Sequence, residues 1–503
     1  MVNQLYYGDN LEVLRRYIKD ESVDLCYIDP PFNSKRNYNQ IYNNIGAEDK
    51  AQAQAFIDTW EWDDHAIHGI NEILINYHGL FTQQCIALIT GLSNVLGKGS
   101  LLAYLVSMTL RITEIHRVLK PTGSFYLHCD PTASHYLKLI LDGVFCSQRG
   151  EFQNEIIWSY NTGGKGKSRF LRKHDVILWY SKTKNYLFNR NEISIPRKIG
   201  TAHLKYGVDE DGREYYEDFS PRKSGKQYRW YLDEGLTPMD VWIDIQAINP
   251  SATERLGYPT QKPEALLERI IKASSKENDI VLDAYCGCGT TVAVCQKLDR
   301  QWIGIDITYQ SISLILKRLE DSFPGVLKTI KLHGIPKDIE SARALANKTD
   351  DRTRKEFEKW AILTYTNNKA VINAKKGADK GIDGIVYFQG DKNDPEKIIF
   401  QVKSGKVKSG DIRDLLGTMT LESASLAIFI TLEEPTKDML KTAKSAGFYQ
   451  SKYMSHSCDK IQIVTIKEII EDQQRLNIRL SYEVLKSAEK QKEVRVNQIE
   501  LDF

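Results

Sequence analysis

Two short stretches carry residue types whose spacing suits chemistry. Asp29-Pro30-Pro31-Phe32 puts a carboxylate, a proline carbonyl and an aromatic ring within four residues. Far downstream, Asp283-Ala284-Tyr285-Cys286-Gly287-Cys288-Gly289-Thr290-Thr291 sets an acid ahead of two glycines. A second acid, Asp306, follows 17 residues after Gly289. A glycine turn ahead of a helix presents backbone N–H groups to a ligand. An acid near that distance grips a ribose hydroxyl pair in nucleotide-binding α/β units.

The elements that must hold these residues are readable. Val23-Asp24-Leu25-Cys26-Tyr27-Ile28 is a short, mostly apolar run, as expected of a strand buried in a parallel sheet. The two prolines cannot donate to a sheet ladder, so the strand ends at Asp29 in a stiff turn. Ligands bind outside the carboxyl ends of strands in open α/β sheets, which makes this turn a candidate site. Pro-Pro also simply terminates strands, so a structural role stands beside the functional one. Ile280 to Leu282 reads as a strand, Val292 to Leu298 as a helix, and Trp302 to Ile305 as a strand ending at Asp306. That is the nucleotide half of a Rossmann-type unit, although only a G-x-G core is present. Asp283 suits an ammonium or a loop-fixing role better than a pyrophosphate. A ligand with a ribose and a cationic amino-acid tail fits: S-adenosylmethionine.

With these motifs in place, the chain resembles the DNA amino-methyltransferases in the circular permutation called the β class. "LDAYCGCGTT" resembles that family's cofactor loop, with Ala284 and Cys288 in place of the commoner Pro and Ser. "YPTQKPEALLERII", residues 258 to 271, is similar to the cofactor-side motif before it. "LRITEIHRVLKPTGSFYLHCD" and "FLRKHDVILWYSK" resemble stretches of type III modification subunits. The resemblance covers roughly residues 1 to 340 in separated blocks. It implies a Rossmann-like α/β fold: a catalytic half over 1–185, a target-recognition region over 186–250 and a cofactor-binding half over 251–340. It assigns catalysis to Asp29, Pro30, Pro31 and Phe32. Cofactor binding falls to Gln261, Lys262, Asp283, Gly287, Gly289, Thr290 and Asp306.

In such enzymes the target base leaves the duplex at a cost of a few kcal/mol. Stacking on an aromatic such as Phe32 returns about 1–3 kcal/mol. An exocyclic amine is a poor nucleophile because its lone pair is delocalised into the ring. Accepting both N–H groups, through Asp29 and the Pro30 carbonyl, frees that lone pair without a covalent enzyme intermediate. The run Asn33 to Tyr42 is then expected beside the opened base pair, with Lys35 and Arg36 near phosphates. A cytosine-C5 enzyme needs a cysteine nucleophile, which follows a proline in that family, and no Pro-Cys dipeptide occurs. Because members of the resembled family whose turn begins with Asp mostly modify adenine, the resemblance implies adenine N6, with N4-cytosine as the alternative. A non-catalytic DNA-binding component of a restriction complex and an RNA methyltransferase are further rivals.

Residues 350–503 read as a second α/β region after a polar linker near 337–351. Phe357, Trp360, Ala361 and Leu363 form a helical stripe. Ile382 to Phe388 and Ile398 to Lys403 alternate as a hairpin would. Asp383 and Gln401-Val402-Lys403 resemble the PD-(D/E)xK nuclease core in the D…Q-x-K form of Mrr-like restriction domains. The resemblance implies Glu358 as the upstream acid, Mg²⁺ on Asp383 and its neighbours, and Lys403 helping to activate water. A solvated sheet face explains the same residues without cleavage, and an inactive DNA-gripping module is the rival reading.

Net charge is only +2 over 503 residues. Between Ser159 and Trp230, however, 16 Lys and Arg face 8 Asp and Glu, and the stretch 203–231 interleaves that charge with Tyr and Trp. Clustered base is the footprint of a nucleic-acid binder, although a solvated loop face reads the same way. Gly166-Lys167-Ser168 ends like a P-loop, but the first glycine is replaced by Asn161, and 161–169 reads as a basic loop closing on DNA. Residues 45–85, with Trp60 and Trp62, read as an extra helical insertion giving core or cover. The eight scattered cysteines form no C-x-x-C pair, which implies a reducing cytoplasm. Ala87 to Leu110 is interrupted by Lys98 and three glycines, so buried helices are expected there rather than a membrane span. The expected partner is double-stranded DNA, with either a homodimer or a restriction-system partner beside it.

Overall fold

The computed structural model describes residues 3–31, 36–41, 52–58, 60, 62–160, 170–196, 204–218, 229–249, 251–256, 258, 260–347, 351–366, 370–372, 381–389, 395–450 and 457–476. Phe32, the Lys35 side of the following run and the basic loop 161–169 lie outside them.

The described residues build a nine-stranded sheet. Its order is Val241–Trp242, Glu151–Ser159, His174–Ser181, Leu119–Cys129, Val23–Ile28, Ile280–Asp283, Gln301–Asp306, Gln4–Tyr7 and Lys331–His333. From Leu119–Cys129 to Lys331–His333 every neighbour is parallel, and His174–Ser181 runs antiparallel to both of its neighbours. Strands buried on both faces should be apolar throughout, and Val23–Ile28 and Ile280–Asp283 are buried almost end to end. At the opposite end of the strands from the site, Asp24 ties three central strands together. It accepts from the Ile280 amide at 2.9 Å and pairs with Lys120 at 2.8 Å. The permuted chain order therefore yields one continuous sheet in which the strand carrying Asp29 lies beside the strand carrying Asp283.

Helices cover the faces. Gln83–Leu96 and Ser100–Val118 take the apolar stretch expected to form buried helices, and no described helix is long and apolar enough to cross a membrane. The expected all-helical insertion over 45–85 needs correction. Arg36–Ile41 and Gln52–Asp58 pair as antiparallel strands before the helix Asp64–Ile75 begins. Trp60 and Trp62 do pack against the core.

The recognition stretch holds a small antiparallel sheet of Leu204–Val208, Glu214–Asp218 and Arg229–Tyr231. Part of its positive charge is spent internally. Arg213 lies over the Tyr231 ring and pairs with Asp233 at 2.8 Å, while Arg229 lies over Tyr215.

The polar linker expected near 337–351 is also corrected, because Ile339–Ala346 is a helix. Asp338 and Ser341 satisfy each other's backbone at its start, an arrangement that stabilises a short polar helix. After it, helix Asp351–Tyr365 leads into a five-stranded sheet ordered Val371–Ile372, Gly384–Gln389, Pro395–Lys403, Leu426–Thr431 and Ile461–Thr465. Gly384–Gln389 and Pro395–Lys403 pair antiparallel, close to the expected hairpin. Helix Asp351–Tyr365 buries Phe357, Trp360, Ala361 and Leu363 in a core shared with the nine-stranded sheet's helices.

Candidate active site

The two predicted motifs end neighbouring parallel strands, and both open into one cavity of about 1250 Å³. Asp29, Pro30, Pro31, Gln261, Lys262, Asp283, Gly287, Thr290 and Asp306 all line it.

At the catalytic end, Asp29 Oδ2 accepts from Lys262 Nζ at 2.6 Å. Beneath this pair runs a buried polar chain. The Tyr27 hydroxyl meets His128 Nδ1 at 2.9 Å, His128 Nε2 meets Asp175 Oδ2 at 3.0 Å, and Tyr160 donates to Asp175 at 3.2 Å. Burial pushes the Tyr27 phenol well above its ordinary value, with the Asp29 charge adding to the effect. None of His128, Asp175 and Tyr160 is singled out by the sequence, although "LHCD" and "KHDV" carry the first two.

The other end is the glycine turn. Asp306 sits opposite Tyr7 in the sheet register, and its two oxygens accept from the Gly287 amide at 2.8 Å and the Thr308 amide at 2.9 Å. Asp283 Oδ1 accepts from the Tyr285 amide at 2.9 Å, the loop-fixing role expected of it. Asp283 is buried and Asp306 is half-buried at the cavity wall. Burial raises Asp283 to about 7 and Asp306 to about 6. The effect is the one expected of carboxylates awaiting a cationic or hydroxyl-bearing ligand.

The predicted cofactor residues divide by what they touch. Gln261 turns its amide onto the backbone, donating to Glu254 O and accepting from the Leu256 amide at 2.8 Å, which shapes the loop leading to Lys262. Thr290 Oγ1 meets the buried guanidinium of Arg318 at 3.1 Å, and Arg318 in turn pairs with Glu264 at 2.8 Å. Gly289 is not part of the cavity wall. It caps helix Thr290–Lys297 at φ +74°, and a Cβ there would come within 2.7 Å of Ile315. Its glycine is needed for packing. A Cβ on Gly287 would press on the Tyr258 ring at 3.3 Å, so Tyr258 closes over the turn.

S-adenosylmethionine fits this donor set. A buried acid, Asp283, and a half-buried one, Asp306, flank a glycine turn in a cavity large enough for a nucleoside with a tail. Asp306 would hold the ribose hydroxyls and Asp283 the cationic end.

In the second region, Gln401 and Lys403 lie two apart on Pro395–Lys403 and so share a face, with Phe400 and Val402 buried on the other. Asp383 Oδ2 accepts from the Val402 amide at 2.7 Å, which places Asp383 beside them. Gln401 Oε1 is buried without a hydrogen-bond partner. Glu358 lies on helix Asp351–Tyr365, whose Tyr365 ring meets Phe400 at 6.4 Å. Among the described residues no group of three or more His, Cys, Asp or Glu side chains is arranged to hold a metal.

Comparison with known proteins agrees with both regions. Residues 23–317, more than half of the chain, match the DNA methylase family model, and residues 350–471 match the restriction endonuclease model. The type II methyltransferase M.HpaI of Haemophilus parainfluenzae is 35% identical over 216 residues, covering 42% of this chain and 59% of that protein. The DNA adenine methyltransferase YhdJ of Escherichia coli is 29% identical over 318 residues, 63% of this chain and 82% of its own. Among solved structures, the M1.HpyAVI–SAM complex aligns with TM-score 0.33 and 17% identity, over 63% of this chain and 98% of that one. The chain belongs to the DNA methylase family, and the residues behind its methylase part are similar to the restriction endonuclease model.

Proposed function

We propose that this chain is a site-specific DNA methyltransferase that methylates the N6 amine of an adenine flipped from duplex DNA, with S-adenosylmethionine as the donor. The observation that carries this is the shared cavity: Asp29 at one strand tip, and Asp283 and Asp306 at the next two. Bound there, S-adenosylmethionine supplies an electrophilic methyl on a sulfonium.

The protein's part is to hold and to strip. Asp29 and the Pro30 carbonyl accept hydrogen bonds from the two amine N–H groups, which draws the nitrogen from planarity and leaves its lone pair free. As the methyl moves, the thioether S-adenosylhomocysteine is the leaving group and the nitrogen sheds one proton to Asp29 or water. Lys262 keeps the Asp29 carboxylate in place until the base arrives, and the two prolines fix the carbonyl. Phe32 is the stacking platform. Positioned acceptors in a site sheltered from water carry such catalysis. The likeness to a DNA adenine methyltransferase over 82% of that relative's length supports adenine as the target.

For residues 350–471 we assign DNA cleavage, in a restriction or defence setting. Asp383 and the unpartnered Gln401 oxygen, which lie side by side, support this reading; with Glu358 they would offer Mg²⁺ oxygen donors, and Lys403 shares the Gln401 face. The deciding experiment expresses the full chain in a methylation-free host and sequences the host DNA for modified bases. N6-methyladenine at one recurrent sequence is expected. N4-methylcytosine would move the target to cytosine, and unmodified DNA would overturn the assignment.

A further inference from the structure

The helix Asp351–Tyr365 belongs to the restriction endonuclease match, yet it forms a wall of the methylase cavity. Lys355, Glu356 and Lys359 line the same space as Asp29, Asp283 and Asp306. Glu356 is the most committed of the three. Its residue is only 8% exposed, and Oε2 accepts at once from the Tyr7 hydroxyl and the Tyr309 amide, both at 3.1 Å. Its other oxygen takes Lys359 Nζ at 2.5 Å.

The two groups held by Oε2 bracket Asp306. Tyr7 is the in-register partner of Asp306 on the next strand, and the Gly8 amide donates to the Asp306 carbonyl at 2.9 Å. Tyr309 stands three residues after Asp306, at the start of helix Tyr309–Ser322. The Tyr7 and Tyr309 rings meet edge to face at 5.9 Å. The same helix reaches Tyr309 a second time, through Thr364 Oγ1 to the Tyr309 hydroxyl at 3.2 Å. A surface docking contact needs none of this, because exposed charge pairs contribute little. A carboxylate at a helix N-terminus, buried and accepting three donors, fixes geometry instead.

We propose that Glu356 is a positioning residue for the methyl donor: the endonuclease region completes the donor pocket by setting Tyr7 and Tyr309 on either side of Asp306. The donor site is thus assembled from both regions of the chain. This rests on the reading of the cavity as the S-adenosylmethionine site.

The test uses the full chain and calorimetric titration with S-adenosylhomocysteine, together with steady-state methylation. In Glu356→Ala the dissociation constant should rise by about tenfold or more, with the KM for the donor rising in parallel and kcat at saturating donor little changed. Glu356→Gln should recover most of the affinity, because one amide oxygen can still accept from both Tyr7 and Tyr309. Tyr7→Phe keeps the ring and removes one donor, so a rise of about three- to tenfold is expected, and it decides the matter if Glu356→Ala does not fold. Affinity within twofold of wild type in Glu356→Ala, or in Tyr7→Phe where the alanine variant is unfolded, overturns the proposal. A wild-type chain that takes up no S-adenosylhomocysteine overturns the donor reading itself, a separate result.

Discussion

Lys262 Nζ and Asp29 Oδ2 lie 2.6 Å apart, joined across 233 residues of sequence, with side chains only 10% and 16% exposed. The pair links the cofactor-side motif to the catalytic turn at the place where the two strand tips meet. It also answers how a carboxylate is kept ready in a half-dry cavity. Without a cation it would carry an uncompensated charge, and breaking a fully buried pair costs about 3–5 kcal/mol. Partial exposure reduces that figure here, so the pair's value lies in orientation.

The first prediction follows from that arrangement. Asp29→Ala should lower methyl transfer by on the order of 100-fold or more, since an acceptor at the reacting nitrogen is gone. Donor binding should stay near wild type, because Asp283, Asp306 and the glycine turn are untouched. N6-methyladenine persisting in DNA from a host that expresses Asp29→Ala would remove the assigned role.

The second concerns Asp306. Its oxygens hold the Gly287 and Thr308 amides, so Asp306→Ala loses both a ligand acceptor and the brace of the turn. Donor affinity should fall by about 1.5–3 kcal/mol, the range for hydrogen bonds to a charged group. Calorimetry finding Asp306→Ala and Asp283→Ala both unchanged would move the pocket elsewhere.

The third is a pH effect. Burial lifts Asp283 from its ordinary 3.8 to about 7, so the folded, ligand-free chain holds this proton more tightly than the unfolded chain. Stability from this group is therefore full below the unfolded value and is lost as pH rises through the folded one. The melting temperature should fall between about pH 4 and pH 7 and level above. Asp283→Asn, which mimics the neutral acid, should flatten that slope. A slope as steep in Asp283→Asn as in wild type would place the titration elsewhere. A cationic ligand favours the charged carboxylate, so donor affinity should rise over the same window.

What was legible in the sequence is what is local. The strand ended by Pro30 and Pro31, the glycine turn and Asp306 are each encoded within a few residues, and they reached one cavity as expected. The Lys262–Asp29 pair could not be read, because no local pattern states which of the many lysines crosses to a given acid. Glu356 was invisible for the same reason. Its neighbour Glu358 drew attention through a motif, while Glu356 acts only through Tyr7 and Tyr309, both far away in the chain. The helix Ile339–Ala346 does have a local signal. Asp338 followed three residues later by Ser341 is a reciprocal cap, and polar composition hid it. The strand Gln52–Asp58 reads as helix from the sequence because its Gln and Ala residues are better helix formers than strand formers.

The last prediction concerns the second region. If it cuts DNA, Glu358, Asp383 and Gln401 should gather Mg²⁺ beside Lys403. Asp383 is already anchored to the Val402 amide at 2.7 Å, so its side chain sits next to the strand that carries the other two. The buried Gln401 oxygen has no partner, and a cation would give it one. Cleavage of plasmid by the purified chain should need Mg²⁺ and stop with chelator. It should vanish in Asp383→Ala and Lys403→Ala and persist in Asp29→Ala, whose lesion lies in the methylase cavity. A chain that marks and cuts must spare its own host, so pre-methylated plasmid should survive where unmethylated plasmid is cut. Plasmid left intact under every one of these conditions would retire the nuclease and leave a methyltransferase whose second region serves the donor pocket. Cutting that survives both substitutions would place the metal at other residues.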